Sequence, residues 1–595
     1  MRAGRFVFIV VTLATLLYCT WSQRSIGYID SGELAACCVI SGIPHPTGYP
    51  AFSILGRLGA ILPTAHRMID RLHIFNALIS ALSIGMMLFV VRDGFRRFDG
   101  SRPAEPNRET SFLAASSALF LFNGSILENA LEFEVHALQL LLISCVLLSL
   151  TRFQLATSGG ERFRWFSASL FSLGFCLTNH ASSLALLPAV TVFFLVSLMR
   201  NSCLNAARLS AAACFFGLAF SVYLYLPLRS TQSVPLDWGD PASFETFLRH
   251  VTGWQFRVWF FGNPEAFSRN LLGFISGLPH TTRLMCFLAP FGLVRLIRSN
   301  LPWALFLLTV SVSNSLYVSG YDIHDLHPYY LLSELAILLM SAHFIGVLIS
   351  TPSSLKTCRL ITGLIVSLIV FQTFVFSAPP SRRGFDVPER YTRMIIDSLP
   401  ADSMIMSRQW DYLCSPLVYL QTIESYRTDV VMIERELLRR SWYFAQIDRL
   451  YGEIFRRNRR AIEAFLRFLR PFERQEKFDP NSIQSAYIDL IRSLIDTHPG
   501  PCFITPDVLD ETEAFRGYNP RPFGLVLQIT GPEFDQPDPD RFVLAVPDRY
   551  RNERLTKALI QLLDDTYRRN ARYFRSIGRL DLANHWGSLA ESFDR

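Results

Sequence analysis

The sequence predicts a polytopic α-helical membrane protein carrying a separate, water-soluble mixed α/β domain at its carboxy-terminal end. Three observations predict it. Half of the 595 residues are hydrophobic and the mean hydropathy is +0.25. The apolar residues gather in long blocks instead of recurring at amphipathic spacing. Beyond residue 377 the composition turns polar and Arg-rich.

The first block, residues 6–21, comes just after Arg2 and Arg5 and lacks a small-residue cleavage site. It therefore reads as a retained signal-anchor helix. Ten more blocks lie at 72–91, 112–125, 135–150, 166–177, 183–199, 211–228, 284–297, 302–318, 330–350 and 361–378. The expectation is thus about eleven transmembrane helices, several of them shorter than the roughly 20 residues a bilayer asks for.

With eleven spans, the loops on one side carry Arg92, Arg96, Arg97, Arg102 and Arg108, then Arg152, Arg162 and Arg164, then Arg200 and Arg208, then Arg295 and Arg298, then Lys356 and Arg359. The opposite loops hold Asp30 and Glu33, then Glu128, Glu132 and Glu134, then Asn179 and His180, then Asp237 and Asp240, then Asp322 and Asp325. The positive-inside rule predicts a cytoplasmic amino terminus and an extracytoplasmic carboxy-terminal domain. The expected division is a transmembrane domain over 1–377 and a soluble domain over 378–595.

Within that soluble domain, residues 403–407 and 430–434 read as strands flanking a helix at 416–424, a βαβ pattern. Further strands are expected at 502–505, 525–529 and 542–546. Near the end, Tyr567, Ala571, Phe574, Gly578, Ala583 and Ala590 fall at the spacing of a single tetratricopeptide-like helical hairpin, which cannot bury its own faces and must dock on the rest.

Net charge is +7, with only three Lys among the 57 basic residues, which suits neither a nucleic-acid tail nor a disordered region. Most of the eleven Cys lie in or beside apolar blocks and read as small core residues. Cys414 and Cys502 are the two in the polar third that could pair. No Cys or His spacing of the kind that holds a metal occurs, and neither a metal nor a cofactor is expected.

The most unusual stretch is residues 28–50, YIDSGELAACCVISGIPHPTGYP. It places Asp30 and Glu33 at the start of a short helix, and Pro44, Pro46 and Pro50 with Gly42 and Gly48 turn the segment after that helix into a kinked strap. Asp30-Ser31-Gly32-Glu33 also has the form of a capping box, with Asp30 accepting from backbone N–H groups and Glu33 reaching back. The two readings are compatible, because a cap positions a carboxylate.

A transporter usually places its ionisable residues at mid-membrane on broken helices, whereas these lie at span ends. That distribution favours an interfacial site for a lipid-linked substrate, although a transporter or flippase of such a precursor is the alternative, and a non-catalytic receptor a third. Moving a sugar from a lipid phosphate to a protein hydroxyl would need a carboxylate to take the proton, groups to hold the departing phosphate, and polar side chains for the sugar. Asp30 is the expected base, with Glu33 one turn on. Arg229, in YLPLRS, offers bidentate contacts to phosphate. His45, Asn179 and His180 complete the donor side. Asp237, Trp238 and Asp240, in PLDWGDP, with Asp322 and His324, in YDIHDLHPYY, and Glu134 are candidates for the sugar and acceptor, the Trp as a stacking face.

These segments carry a resemblance. DSGELAACCVISGIPHPTGYP is similar to the first outer loop of the bacterial protein O-mannosyltransferase-like family, long called a domain of unknown function and related to the animal transmembrane protein 260. The family pattern is D-S-G-E, a short helix, then G-x-x-H-P-P-G-Y-P, and Thr47 replaces the second Pro of H-P-P. Residues 131–138, LEFEVHAL, resemble the family's V-E-A-E-V-Y-A-L, with His136 where Tyr is usual. LTNH, YLPLRS, PLDWGDP and YDIHDLHPYY agree in order, and Arg408-Gln409-Trp410-Asp411 stands where the family tends to have G-D-N-D. The resemblance implies a GT-C glycosyltransferase fold, an inverting, metal-independent transfer of a sugar, mannose in the animal relative, from a polyprenyl-phosphate carrier to Ser or Thr of translocated proteins, and a place in the inner, cytoplasmic membrane. It also implies that the first outer loop supplies the catalytic Asp, which is Asp30.

Overall fold

The computed structural model describes residues 3–98, 106–198, 205–323, 325–352, 354–376 and 381–591. The expected boundary between 377 and 378, together with Arg102, Arg200 and His324, lies outside them. The chain forms two compact units: residues 1–23, 46–228 and 248–384 make the first, and residues 24–45, 229–247 and 385–595 make the second. Two short stretches of the amino-terminal range are therefore built into the second unit.

Among the described residues of the first unit each expected apolar block falls mainly on helix, with breaks at residues 122–123 and at Leu284. Eight helical segments are long and apolar enough to cross a membrane, and Pro106–Leu121 with Gly124–Leu131, bent by 61°, would make a ninth. Among the described residues the count is thus eight or nine where eleven were expected. Gly159–Leu177 falls short because Glu161, Arg162 and Arg164 lie in its first two turns. Ala289–Ser299 has 11 residues and carries Arg295 and Arg298. The protein is a multi-pass membrane protein.

The bend at residues 122–123 frees backbone groups that a bilayer cannot solvate, and side chains satisfy them. Tyr18 Oη donates to the Leu121 carbonyl at 2.9 Å, Arg283 Nε to the Phe122 carbonyl at 3.2 Å, and the Asn123 side chain accepts from Ile126 N–H at 3.0 Å. A broken helix is tolerated there because its neighbours complete it.

The second unit is built on a five-stranded sheet of order β2-β1-β3-β5-β4, with β1 Met404–Ser407, β2 Val431–Glu434, β3 Cys502–Ile504, β4 Arg521–Phe523 and β5 Val526–Thr530. β1 runs parallel to β2 and β3, while β5 is antiparallel to both β3 and β4. The helix Ser415–Glu424 crosses from β1 to β2 and completes the expected βαβ unit. Met404, Met406, Ile433 and Ile504 join Phe465, Tyr487, Leu490 and Leu494 in the core that packs helices Tyr443–Glu473 and Pro480–Thr497 on the sheet.

Residues 542–546 are not a strand. Phe542 ends a 3-10 turn, its carbonyl accepts from Tyr567 Oη, and its ring stacks on Trp586 at 5.7 Å, so its backbone has a partner other than a strand. Arg521–Phe523 takes the edge position instead. The last two helices, Arg554–Ser576 and Leu580–Glu591, pack as a hairpin. Cys414 and Cys502 are separate buried thiols.

Candidate active site

The helix Ser31–Ile40 belongs to the second unit and is fixed there by close backbone approach. A Cβ on Gly32 would lie 2.2 Å from the Ser415 carbonyl oxygen and 2.9 Å from Pro416 Cα, so only glycine lets the two helices meet. Ser415 Oγ accepts from Glu33 N–H at 3.1 Å. Ile29 and Ser41 flank the helix at φ 56° each, left-handed conformations that cost non-glycine residues of order 1–3 kcal/mol and cluster at functional sites.

The expected capping box does not form. Asp30 occupies the N-cap position without a side-chain cap hydrogen bond, because both carboxylates have other partners. Asp30 Oδ1 accepts from Trp410 Nε1 at 2.7 Å, and its Oδ2 lies 3.6 Å from His45 Nε2. Glu33 accepts from His45 twice, from the backbone N–H at 2.8 Å and from ring Nδ1 at 2.7 Å. An ionised Glu33 thus keeps the proton on Nδ1 and turns Nε2 toward Asp30, the arrangement by which a carboxylate fixes a histidine tautomer.

Exposure separates the two acids. The Asp30 side chain is 27% exposed and that of Glu33 4%. Burial raises Glu33 above the usual carboxylate range, and the His45 ring beside it pulls in the opposite direction. Asp30 faces the solvent side while Glu33 holds the His45 ring from behind. Asp30, Glu33 and His45 each offer one ligand atom, all within 4.8 Å of one another, so this trio is also where a divalent cation could be held.

Around the trio stands an aromatic wall. The Trp238 ring lies 5.9 Å from His45, 5.4 Å from Trp410 edge-on, and 5.0 Å from Trp442. Trp410 opens a π turn, Trp410–Cys414, just beyond the carboxyl end of β1, where parallel α/β sheets place ligands. A cavity of about 20 Å³ behind Glu33, room for about one water, is lined by Trp238, Trp410, Glu434, Tyr443 and Gln446. Burial pushes Glu434 up to about 7.

Asp237 is fully buried, paired with Arg449 at 3.2 Å and accepting from Ser230 Oγ at 3.1 Å. Burial pushes it up to about 6 against the pull of Arg449. Asp240 accepts from the same Ser230 at 2.9 Å. Arg229 donates from Nε and Nη2 to the carbonyls of Ser41 and Ile40, at 2.8 and 3.3 Å, and from Nη1 to Gln232. It therefore closes the carboxyl end of the helix that carries Asp30.

Of the residues expected from the sequence, the second unit brings together Asp30, Glu33, His45, Arg229, Asp237, Trp238 and Asp240. The other described ones, Asn179, His180, Glu134 and Asp322, belong to the first unit. There Asn179 Nδ2 donates to Gln139 Oε1 at 2.8 Å and to the Val135 carbonyl at 3.1 Å. His180 stacks on Tyr49 at 5.7 Å and meets His136 and Tyr329 edge-on. Glu134 occupies the N-cap position of Val135–Leu155, and Asp322 pairs with Arg269 and Asn263, each at 3.0 Å.

Trp410, Trp442, Arg449 and Glu434 are missing from the sequence-based set. Trp410 had a signal, since it lies just after a predicted strand of a βαβ unit, at the end where such sheets bind ligands. Arg449 had none, being one Arg among many on an amphipathic helix.

Comparison with known proteins points the same way. Residues 30–203 match a family model described as the protein O-mannosyl-transferase TMEM260 N-terminal domain, a match that begins at Asp30. The chain is 23% identical over 452 residues to the protein O-mannosyl-transferase TMEM260 of Mus musculus, covering 72% of this chain and 62% of that protein. Among solved structures it is similar to ArnT from Cupriavidus metallidurans in the apo state, with TM-score 0.53 and 13% identity over 90% of this chain and 100% of that one. The same protein bound to undecaprenyl phosphate gives TM-score 0.52 and 13% identity over 89% and 100%. The chain therefore shares its fold with ArnT.

Proposed function

We propose that this chain is a membrane glycosyltransferase that moves a sugar from a polyprenyl-phosphate carrier to Ser or Thr hydroxyls of translocated proteins, with inversion and with Asp30 as general base. The observation that carries the reading is the placement of Asp30: a part-exposed carboxylate held by Trp410 Nε1, with His45 oriented behind it by buried Glu33. Support comes from the similar chains, one described as a protein O-mannosyl-transferase and the other solved with undecaprenyl phosphate. Mannose is the sugar in the first of those descriptions and is the sugar proposed here.

In the proposed step the acceptor oxygen bonds to the anomeric carbon as the bond from that carbon to the phosphate oxygen breaks. The acceptor proton passes to Asp30, and the polyprenyl phosphate leaves with the bonding electrons. His45 Nε2, at 3.6 Å, can share that proton afterwards. Because phosphate is a good leaving group the step needs no metal, and no cofactor is proposed. Trp238 and Trp442 offer ring faces to the sugar. Buried Asp237, tied to Arg449, holds the loop that presents Trp238.

The basic residues at helix ends, among them Arg152, Arg208, Arg298 and Lys356, support a cytoplasmic amino terminus, with the second unit outside the cytoplasmic membrane. The test is Asp30→Asn in lipid nanodiscs, assayed with labelled polyprenyl-phosphate mannose and a Ser/Thr peptide. Loss of a general base costs about 10²–10⁴ in rate. A folded variant with full activity overturns the role of Asp30, and an inactive wild type with that donor overturns the donor.

A further inference from the structure

The second unit carries a surface that the proposed chemistry does not use. Helix Tyr443–Glu473 buries Ile454, Asn458, Ile462, Phe465 and Leu469 along one face. On the opposite face, at spacings of seven, three and four residues, stand Arg460, Arg467, Arg470 and Arg474, with Lys477 just past the end. All five are exposed. None has an ion pair or side-chain hydrogen bond among the described residues, whereas neighbouring Arg456 and Arg457 pair with Glu453, and Arg459 with Glu463. Toward the same end of the helix, Phe468, Phe472 and Phe478 are 40%, 46% and 42% exposed.

Unpaired cations in a row repel one another, and large exposed aromatics are costly in water, so a surface that has both invites a partner. An anionic lipid surface answers both at once. Arg side chains reach phosphate oxygens while aromatic rings enter the boundary between headgroups and acyl chains. An acidic polypeptide would answer the charges alone. The chain is already anchored in a membrane, so contact with lipid carries little further loss of translational freedom.

We infer that the carboxy-terminal half of helix Tyr443–Glu473, with residues 474–478, is a docking surface for the anionic headgroups of the membrane in which the protein sits. It binds through Arg460, Arg467, Arg470, Arg474 and Lys477, with Phe468, Phe472 and Phe478 as the apolar wedge.

The test uses the full chain in nanodiscs of phosphatidylcholine alone or with added phosphatidylglycerol, whose negative surface potential attracts basic segments, doped with a headgroup photo-crosslinking lipid and read by peptide mass spectrometry. The peptide spanning 460–478 is expected to be labelled in the anionic discs. Each cation near such a surface contributes about five-fold in partition, so the quadruple variant R460Q/R467Q/R470Q/R474Q is expected to lose labelling at least ten-fold, while labelled peptides of the membrane spans stay constant as the internal reference. Raising salt to 0.5 M on the wild type, which shortens the screening length to roughly 4 Å, produces the same loss without any mutation. A peptide left unlabelled in anionic discs overturns the inference, as does labelling unmoved by the four substitutions and by salt. Capture of soluble poly-glutamate by this surface in place of lipid labelling also overturns it, in favour of an acidic protein partner. The readout is independent of glycosyl transfer, so its outcome and that of the donor assay are separately interpretable.

Discussion

Replacing Trp410 by Phe removes one hydrogen bond and leaves an aromatic ring against Trp238. The lost contact is the 2.7 Å donation from Nε1 to Asp30 Oδ1. Hydrogen bonds to charged groups contribute about 1.5–3 kcal/mol. The Asp30 side chain is 27% exposed, so water can take the vacated lone pair, and the lower end applies. About 1.5 kcal/mol is roughly tenfold in rate. In the proposed step Trp410 acts by holding the base, so the fall is expected in kcat, with KM for the lipid donor unchanged within about two-fold. The assay is initial-rate measurement in nanodiscs at saturating acceptor, with melting temperature checked in parallel. A variant of unchanged melting temperature whose kcat stays within about two-fold of wild type refutes the positioning argument, because the Trp410 donation then contributes nothing to the rate.

The same geometry fixes two further outcomes. Gly32→Ala puts a Cβ 2.2 Å from the Ser415 carbonyl oxygen, so helix Ser31–Ile40 must move off its neighbour. The expected result is a lower melting temperature and a loss of about 10²-fold in transfer, since a misplacement of about 1 Å costs that much; wild-type values of both refute the close approach. Glu434, 4% exposed and pushed up to about 7 by burial, holds a proton in the folded chain that the unfolded chain releases near pH 4. Stability contributed by that proton is therefore lost as pH rises from about 4 through 7. Glu434→Gln, which can still accept from Leu437 N–H, is expected to match wild type in thermal unfolding at pH 4.5 and to exceed it by roughly 3 kcal/mol above pH 7. Equal curves at both pH values refute this account.

Much of the fold was legible because bilayer crossing is written in runs of apolar residues, and the βαβ unit because its strands are short, apolar and punctuated. Gly159–Leu177 and Ala289–Ser299 were helices as expected but too charged or too short to count by themselves as spans. Asp30, Glu33 and His45 were found together since they share one stretch of sequence. The capping box was misjudged for a tertiary reason: Trp410 and His45 bind the two carboxylates more favourably than the helix's own N–H groups, and Trp410 is 380 residues from Asp30. Trp442 and Arg449 were hidden for the same cause, as nothing in a local pattern says which face of an Arg-rich helix meets Asp237.

That separation also has a consequence in time. The second unit is stitched from residues 24–45, 229–247 and 385–595, so the ribosome makes the Asp30 segment long before the strand that completes its surroundings. At 5–20 residues per second, the 380 residues from Asp30 to Trp410 take roughly 20–80 s to synthesise. Through that interval helix Ser31–Ile40 has no Ser415–Glu424 to pack on. A nascent or truncated chain therefore holds its Asp30 without the Trp410 donor, and the constellation becomes whole only when most of the protein has left the translocation machinery.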